Sequence, residues 1–361
     1  MKIALVAEHA AVTPGPGAGL VDDQIRTREL ARKLKAAGHQ VTVYPVSDAL
    51  SGVTAEASQL RQRWLKDRPD VVHAMRWTSG LTALAASRDL GLPVVQTFAS
   101  LGVAEQRHKI IPGTSAERIR LEPAIGRTAN VVVAANSGVA SDLARLGVPR
   151  RHIKVIPCGV DTDRFAPEGP VAKRNGRSRL LTVGELSKTQ ALNTLLHALT
   201  RVPETELIVA GGPARAKLSQ DANYLELVAL AGSLGIGDRV LFTGQVDEED
   251  LPPLLRSADL YVNTTEYEPT GMISLDAMAC GTPVVASAEG APGDAVVDGT
   301  TGILVPPGRP TLLAHRIRQI LTHPMLLEAY GVAAADRARS RYSWDRIARE
   351  TVAAYESAAA A

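Results

Sequence analysis

The stretch Leu260-Tyr-Val-Asn-Thr-Thr-Glu-Tyr-Glu268-Pro-Thr-Gly271-Met-Ile-Ser-Leu-Asp276-Ala-Met-Ala-Cys280-Gly-Thr-Pro283-Val-Val-Ala286 decides the fold. It opens on an apolar run at 260–262 and turns at Pro269 and Gly271. A helical segment follows at 272–280, and a second apolar run at 283–286. Continuous rather than alternating apolar strands are buried on both faces, as in a parallel sheet. A helix between two of them is a βαβ crossover, which is right-handed.

The same rhythm extends outward. Strands are expected at 179–183, 206–210 and 240–243, with helices at 189–201, 221–234, 248–257 and 310–322. Earlier in the chain, strands at 2–7, 41–44, 70–73 and 93–97 alternate with helices at 23–37, 56–66 and 80–90. Ile25, Leu30 and Leu34 share one helix face, and Gly38 stands where a C-cap glycine belongs. The rhythm breaks at 157–178, where prolines and glycines give way to a polar run with Lys173, Arg174, Arg177 and Arg179; this reads as a solvated interdomain linker. The final segment, with Ile347, Val352 and Tyr355 on one stripe, is a helix that must dock on something. The fold class is therefore α/β: two doubly wound domains, 1–165 with the helix 343–361 packing back, and 175–342, joined by a linker at about 160–178 and facing across a cleft. Ligands in such sheets bind beyond the carboxyl ends of the strands.

Composition excludes several functions. Forty Lys and Arg against 38 Asp and Glu give a net charge of +2, too balanced for a dedicated nucleic-acid binder. Aromatics at 4% argue against base-stacking platforms. A hydrophobic fraction of 45% with 22% charged residues describes a folded chain. Cys158 and Cys280 are too few for a disulfide framework or a cysteine zinc site, which fits a reducing cytoplasm. No run approaches the ~20 apolar residues of a membrane span, and the run at 3–7 is too short for a signal-peptide core. The expectation is a cytoplasmic protein with no integral membrane segment.

Chemistry gathers around residue 268. A turn opening a helix at 271–273 presents backbone N–H groups with partial positive charge, apt for a phosphate. Glu268 before the turn and Asp276 two helical turns inside can point towards one site. Carboxylates beside a phosphate are suited to accept hydrogen bonds from sugar or ribose hydroxyls. Taken alone, Glu268 reads slightly better as an ordinary helix N-terminal charge.

The segment from Glu268 to Val285 resembles the signature of retaining GT-B glycosyltransferases of family four: Glu, seven residues, Glu, then Ala-Met-Ala-x-Gly-x-Pro-Val-Val, with Asp276 one methylene shorter than the usual second Glu. Residues 299–305 resemble the family's Gly-x-x-Gly-x-Leu-Val segment, and residues 156–165 its interdomain stretch. Residues 6–9, 29–34 and 70–74 look like the actinobacterial branch that includes the mycothiol N-acetylglucosaminyltransferases. The resemblance implies the GT-B fold and transfer of a sugar from a nucleotide diphosphate to a small-molecule acceptor. No metal, cofactor or protein nucleophile is implied. Glu268 would be the catalytic-site carboxylate on the donor sugar. Thr270 belongs to the same signature, the backbone at Gly271, Met272 and Ile273 would hold the diphosphate, and Asp276 would hold the ribose. Gly244 and Val246 lie in the segment that contacts the base, and Gly184 and Lys188 in the loop that meets the diphosphate. Gly19 and Asp23 fall in the acceptor loop. His73, Arg76 and Trp77 follow a strand at the acceptor side, and Ala99 and Ser100 occupy the segment beside the reacting sugar; His73 reads equally as a histidine satisfied in packing.

Four positions depart from the family pattern. Glu185 and Gln190 stand where an Arg and a Lys grip the diphosphate, Ala99 where a His is usual, and residues 19–24 read Gly-Leu-Val-Asp-Asp-Gln rather than Gly-Gly-Gln-Asn. An acid facing a diphosphate is costly at low effective dielectric. Two readings follow: an active enzyme of altered specificity in a specialised, secondary-metabolite pathway, or a homologue that binds nucleotide sugars without turnover. The base (UDP, GDP or dTDP), the sugar, the acceptor and the choice between monomer and homodimer stay open.

Overall fold

The computed structural model describes residues 1–8, 19–108, 115–187 and 189–360, with side chains for all of these except 19–22, 189 and 190. Two parallel six-stranded sheets organise the chain. The first holds β1 (Lys2–Glu8), β2 (Gln40–Val46), β3 (Val71–Ala74), β4 (Val94–Phe98), β5 (Val131–Ala134) and β6 (Ile153–Val155), in the order β2-β1-β3-β4-β5-β6. The second holds β7 (Ser178–Val183), β8 (Thr205–Ala210), β9 (Val240–Gly244), β10 (Leu260–Asn263), β11 (Val284–Ser287) and β12 (Gly302–Val305), in the order β12-β11-β10-β7-β8-β9.

Burial follows strand position. The central strands β3, β4 and β5 are buried at every residue, which is why they read as unbroken apolar runs. Strand β2 lies at an edge, is half exposed, and carries Pro45, whose missing N–H an edge strand tolerates.

The chain divides into two compact units. One comprises β1, the chain from Asp23 to Cys158 and the closing helix Trp344–Ala359; the other is Gly159–Ser343, with which residues 19–22 are grouped. In the first unit the closing helix packs on β3, β4 and β5 and buries Tyr355 completely. Hydrophobic clusters around Trp64 with Val72 and around Phe98 with Leu143 cover the sheet. In the second unit one cluster joins Leu180, Leu207 and Leu260 to Leu195 and Ile317 of the covering helices.

The basic run at 173–179 differs from a solvated linker. Arg179 is buried, with its Nε 2.6 Å from a Glu206 carboxylate oxygen and its Nη1 donating to Ser257. Arg174 pairs with Asp259 at 2.6 Å and Arg177 with Asp238 at 3.3 Å. These arginines fasten the stretch before β7 to the second unit rather than leaving it free.

Candidate functional site

Each sheet has one topological switch point, where successive strands leave in opposite directions and a crevice opens at the carboxyl ends. In the second unit this lies between β7 and β10. A crevice there is lined by Thr182 to Glu185 from the end of β7, Asn263 to Thr265 from the end of β10, and Glu268. It therefore brings Gly184 and Glu268 together. Gly244, Val246, Thr270, Gly271, Met272, Ile273 and Asp276 stand outside this lining.

Backbone contacts hold the Glu268 loop. Its carbonyl accepts the Ala291 N–H at 2.8 Å, and residue 268 pairs with Gly290 across an isolated parallel bridge. Gly290 has φ +84°, and a Cβ there would stand 2.2 Å from the Glu268 carbonyl oxygen, so only glycine fits. The turn then reaches Gly271, at φ +64°, which starts the helix Met272–Ala279 without any side-chain cap and with no acid in the first turn. Within that helix Ser274 is fully buried and its Oγ has no hydrogen-bond partner. Asp276 is buried further along. Burial, reinforced by the Asp276 carboxylate, pushes the Cys280 thiol up to about 12, which makes it inert.

Gly184 donates its N–H to Ala210 (2.9 Å), and Gly211 donates to the Gly244 carbonyl (2.8 Å). The ends of β7, β8 and β9 thus form a continuous backbone ridge, with Val246 buried just beyond it. Glu185 is exposed, and its carboxylate accepts a bond from Ser187 Oγ at 2.9 Å. Lys188 lies outside the described residues, as does the side chain of Gln190.

In the first unit the switch point lies between β1 and β3. A pocket near it collects Asp23, Arg76, Trp77, Ala99 and Ser100, five of the seven residues expected on the acceptor side. Gly19 opens the helix Gly19–Ala36, one turn before Asp23. His73, of its two readings, takes the packing one. It is buried in β3, with Nδ1 2.8 Å from Tyr355 Oη and Nε2 2.7 Å from Thr97 Oγ1, so both ring nitrogens are taken inside the unit. Burial, with Arg26 nearby, lowers its pKa to about 3 and keeps it neutral. It is a packing residue that ties the closing helix to the sheet.

Sequence reasoning missed most of the pocket's charge. Arg76 lies 3.0 Å from Glu8 and 3.5 Å from Asp23. Arg118 bonds both Glu105 and Glu122 at 2.7 Å and reaches Ser100 Oγ at 3.3 Å. Glu122 also accepts the Gly102 N–H at 2.8 Å. Burial raises the Asp23 pKa against the opposing pull of Arg76 and Arg26, and its Oδ1 is buried without a partner. Four carboxylates thus surround two arginines, both fully engaged. The i,i+4 spacing of Arg118 and Glu122 on a helix was the available signal.

Among the described residues, no helix is long and apolar enough to cross a membrane.

Comparison with known proteins agrees with this layout. Residues 166–337 match the family described as Glycosyl transferases group 1, and residues 44–164 match Glycosyltransferase Family 4. A D-inositol 3-phosphate glycosyltransferase of Geodermatophilus obscurus is 30% identical over 411 aligned positions, covering 99% of this chain and 90% of the relative. Mannosylfructose-phosphate synthase of Agrobacterium fabrum is 27% identical, covering 98% and 91%. Among solved structures, sucrose-phosphate synthase from Thermosynechococcus elongatus superposes with a TM-score of 0.82 at 24% identity, covering 98% of both chains. HepE of Anabaena, solved in complex with UDP-glucose, gives 0.75 at 19% identity, covering 97% of this chain and 99% of that one. At these identities the structures speak to fold alone.

Proposed function

Because the chain belongs to the glycosyltransferase group 1 family and has the GT-B fold, we propose that it moves a sugar from a nucleotide-diphosphate donor to a small-molecule acceptor with retention of configuration. The observation that carries this reading is the pinned turn from Glu268 to Gly271. It sets a carboxylate at the switch-point crevice and starts an uncapped helix immediately after it. Glu268 accepts hydrogen bonds from donor-sugar hydroxyls, and the N–H groups of residues 271–273 receive the diphosphate. Gly184 and the ridge ending at Gly244 and Val246 face the nucleotide, and Asp276 serves its ribose.

The first-unit pocket is the acceptor side. Its two arginines are already neutralised by four carboxylates, which favours an uncharged or amine-bearing polyol over a phosphorylated one. That would distinguish this chain from relatives named for D-inositol 3-phosphate. An acceptor altered in this way fits a cytoplasmic enzyme of a specialised pathway in the actinobacterial branch.

The test is to incubate the protein with UDP-, GDP- and dTDP-sugars and a panel of amino and neutral polyols while following nucleoside diphosphate release. Acceptor-dependent release with an α-configured product from an α-linked donor supports the proposal. Silence across the panel contradicts it. The exposed Glu185 supports a second reading, a homologue that binds the donor without turnover. Calorimetry showing tight nucleotide-sugar binding with no transfer would favour that reading.

A further inference from the structure

In the second unit the helices Thr189–Leu199 and Pro310–Leu321 pack together, and an open groove of about 950 Å³ runs along the latter. Its lining shares no residue with the switch-point crevice. Arg201, Arg309, Arg318 and His315 all border it. Among the described residues none of the three guanidiniums has an ion-pair or hydrogen-bond partner. Elsewhere Arg76, Arg118, Arg164, Arg174 and Arg179 are each paired with a carboxylate.

None of the residues lining the groove is a carboxylate. The chain carries 38 acids against 40 bases, yet neither packed helix contains an acid, and residues 299–327 hold none. A wall with cations of one sign and no counter-charge focuses a positive potential over the groove.

The helix start adds a second argument. Arg309 is the N-cap of Pro310–Leu321; no side chain caps that end and its first turn has no acid. Helix N-termini carry partial positive charge and are stabilised by anions, so a cation in that position is unfavourable for the protein alone. It becomes favourable when an anion binds between the guanidinium and the N–H groups of Thr311 and Leu312, since Pro310 has none. Arg309 and Arg318 are separated by about 13 Å along the helix axis, further than one phosphate spans.

We infer that this groove binds a ligand presenting two or more phosphate groups, at a site separate from the donor crevice. The shared chemistry is clustered phosphate, either on a soluble polyphosphate or on phosphomonoester lipid headgroups.

The full chain is titrated calorimetrically with inorganic tripolyphosphate at low ionic strength, with and without saturating UDP. Binding is expected in both conditions. It should weaken at least tenfold in Arg309→Gln combined with Arg318→Gln, and stay unchanged in Arg177→Gln, which removes an arginine paired elsewhere. A parallel arm cosediments the protein with phosphatidylcholine vesicles with and without phosphatidic acid. Binding only to the acidic vesicles, lost in the same double variant, assigns the phosphates to a lipid surface; tripolyphosphate binding alone assigns them to a soluble ligand. Arg309→Asp supplies a folding control, because it should abolish binding while raising the thermal midpoint. Absence of saturable binding in both arms, or binding indifferent to the double variant, overturns the inference. Neither result depends on whether the crevice transfers a sugar.

Discussion

The two switch points use opposite strategies. In the second unit the crevice is shaped by backbone: a glycine-dependent bridge at 268 and 290, and an uncapped helix start at Gly271. Among the described residues its charged lining is Glu185 and Glu268. In the first unit the pocket is shaped by side chains, with Arg76 and Arg118 each clamped between two carboxylates. Backbone N–H groups can receive any nucleotide diphosphate without bringing a full charge out of water. Cross-paired side chains hold fixed positions and, on the proposed reading, would select an acceptor by charge and shape. One half of the molecule is thus generic and the other particular.

This contrast can be broken from either side. The largest effect is expected in the first unit. Arg118→Met leaves Glu105 and Glu122 buried without a cation, and removing one partner of such a network costs about 3–5 kcal/mol. Chemical denaturation would measure it; a loss below about 1 kcal/mol would mean the network is not what builds the pocket. Next comes Glu268→Gln, which should lower kcat roughly a hundredfold to a thousandfold, about 3–4 kcal/mol of barrier, with an unchanged denaturation midpoint. A variant with full kcat would remove the crevice from the mechanism.

Gly290→Ala addresses the backbone strategy directly. Its Cβ would meet the Glu268 carbonyl and its φ is strained, together about 2–3 kcal/mol. The account expects donor affinity to fall by at least tenfold while acceptor binding to the first unit is preserved. Beneath the first pocket, His73 gives a pH signature. Its folded pKa of about 3 is below the unfolded 6.5, so the unfolded state takes the proton first as pH falls. Stability present above pH 6.5 is therefore lost between about 6.5 and 3, with a limiting slope of about 1.4 kcal/mol per pH unit. His73→Gln should flatten that part of a stability–pH profile; an unchanged slope would assign it to other groups. The smallest effect is expected of Glu185→Arg. The residue is exposed, so relieving its repulsion is worth about 1 kcal/mol, seen as roughly fivefold tighter donor binding.

Much of this was legible in the chain itself. Buried strands such as β1 and β4 announce themselves as apolar runs, and the Pro269–Gly271 turn marks the helix start. What stayed hidden has physical causes. Strands β5 and β6 have four and three residues, too short to show a period. The helix Pro324–Tyr342 is rich in alanine, and small residues mark a buried face only weakly; its Gly331 sits where a Cβ would be 2.3 Å from the Gly281 carbonyl oxygen. The Arg118 network joins residues 100, 105, 118 and 122, whose meeting depends on how a helix returns to a strand end. His73 read equally as a site or a packing residue because it sits near a strand's carboxyl end. Its partner Tyr355 comes from 282 residues away, a pairing no local pattern encodes.

The central claim is that the backbone turn at 268–273 receives the donor. A crystal structure with a nucleoside diphosphate tests it most directly. The account predicts phosphate oxygens within hydrogen-bonding distance of the N–H groups of residues 271–273, with Glu268 beside the distal phosphate. Nucleotide lodged instead beside residues 15–19 would contradict it.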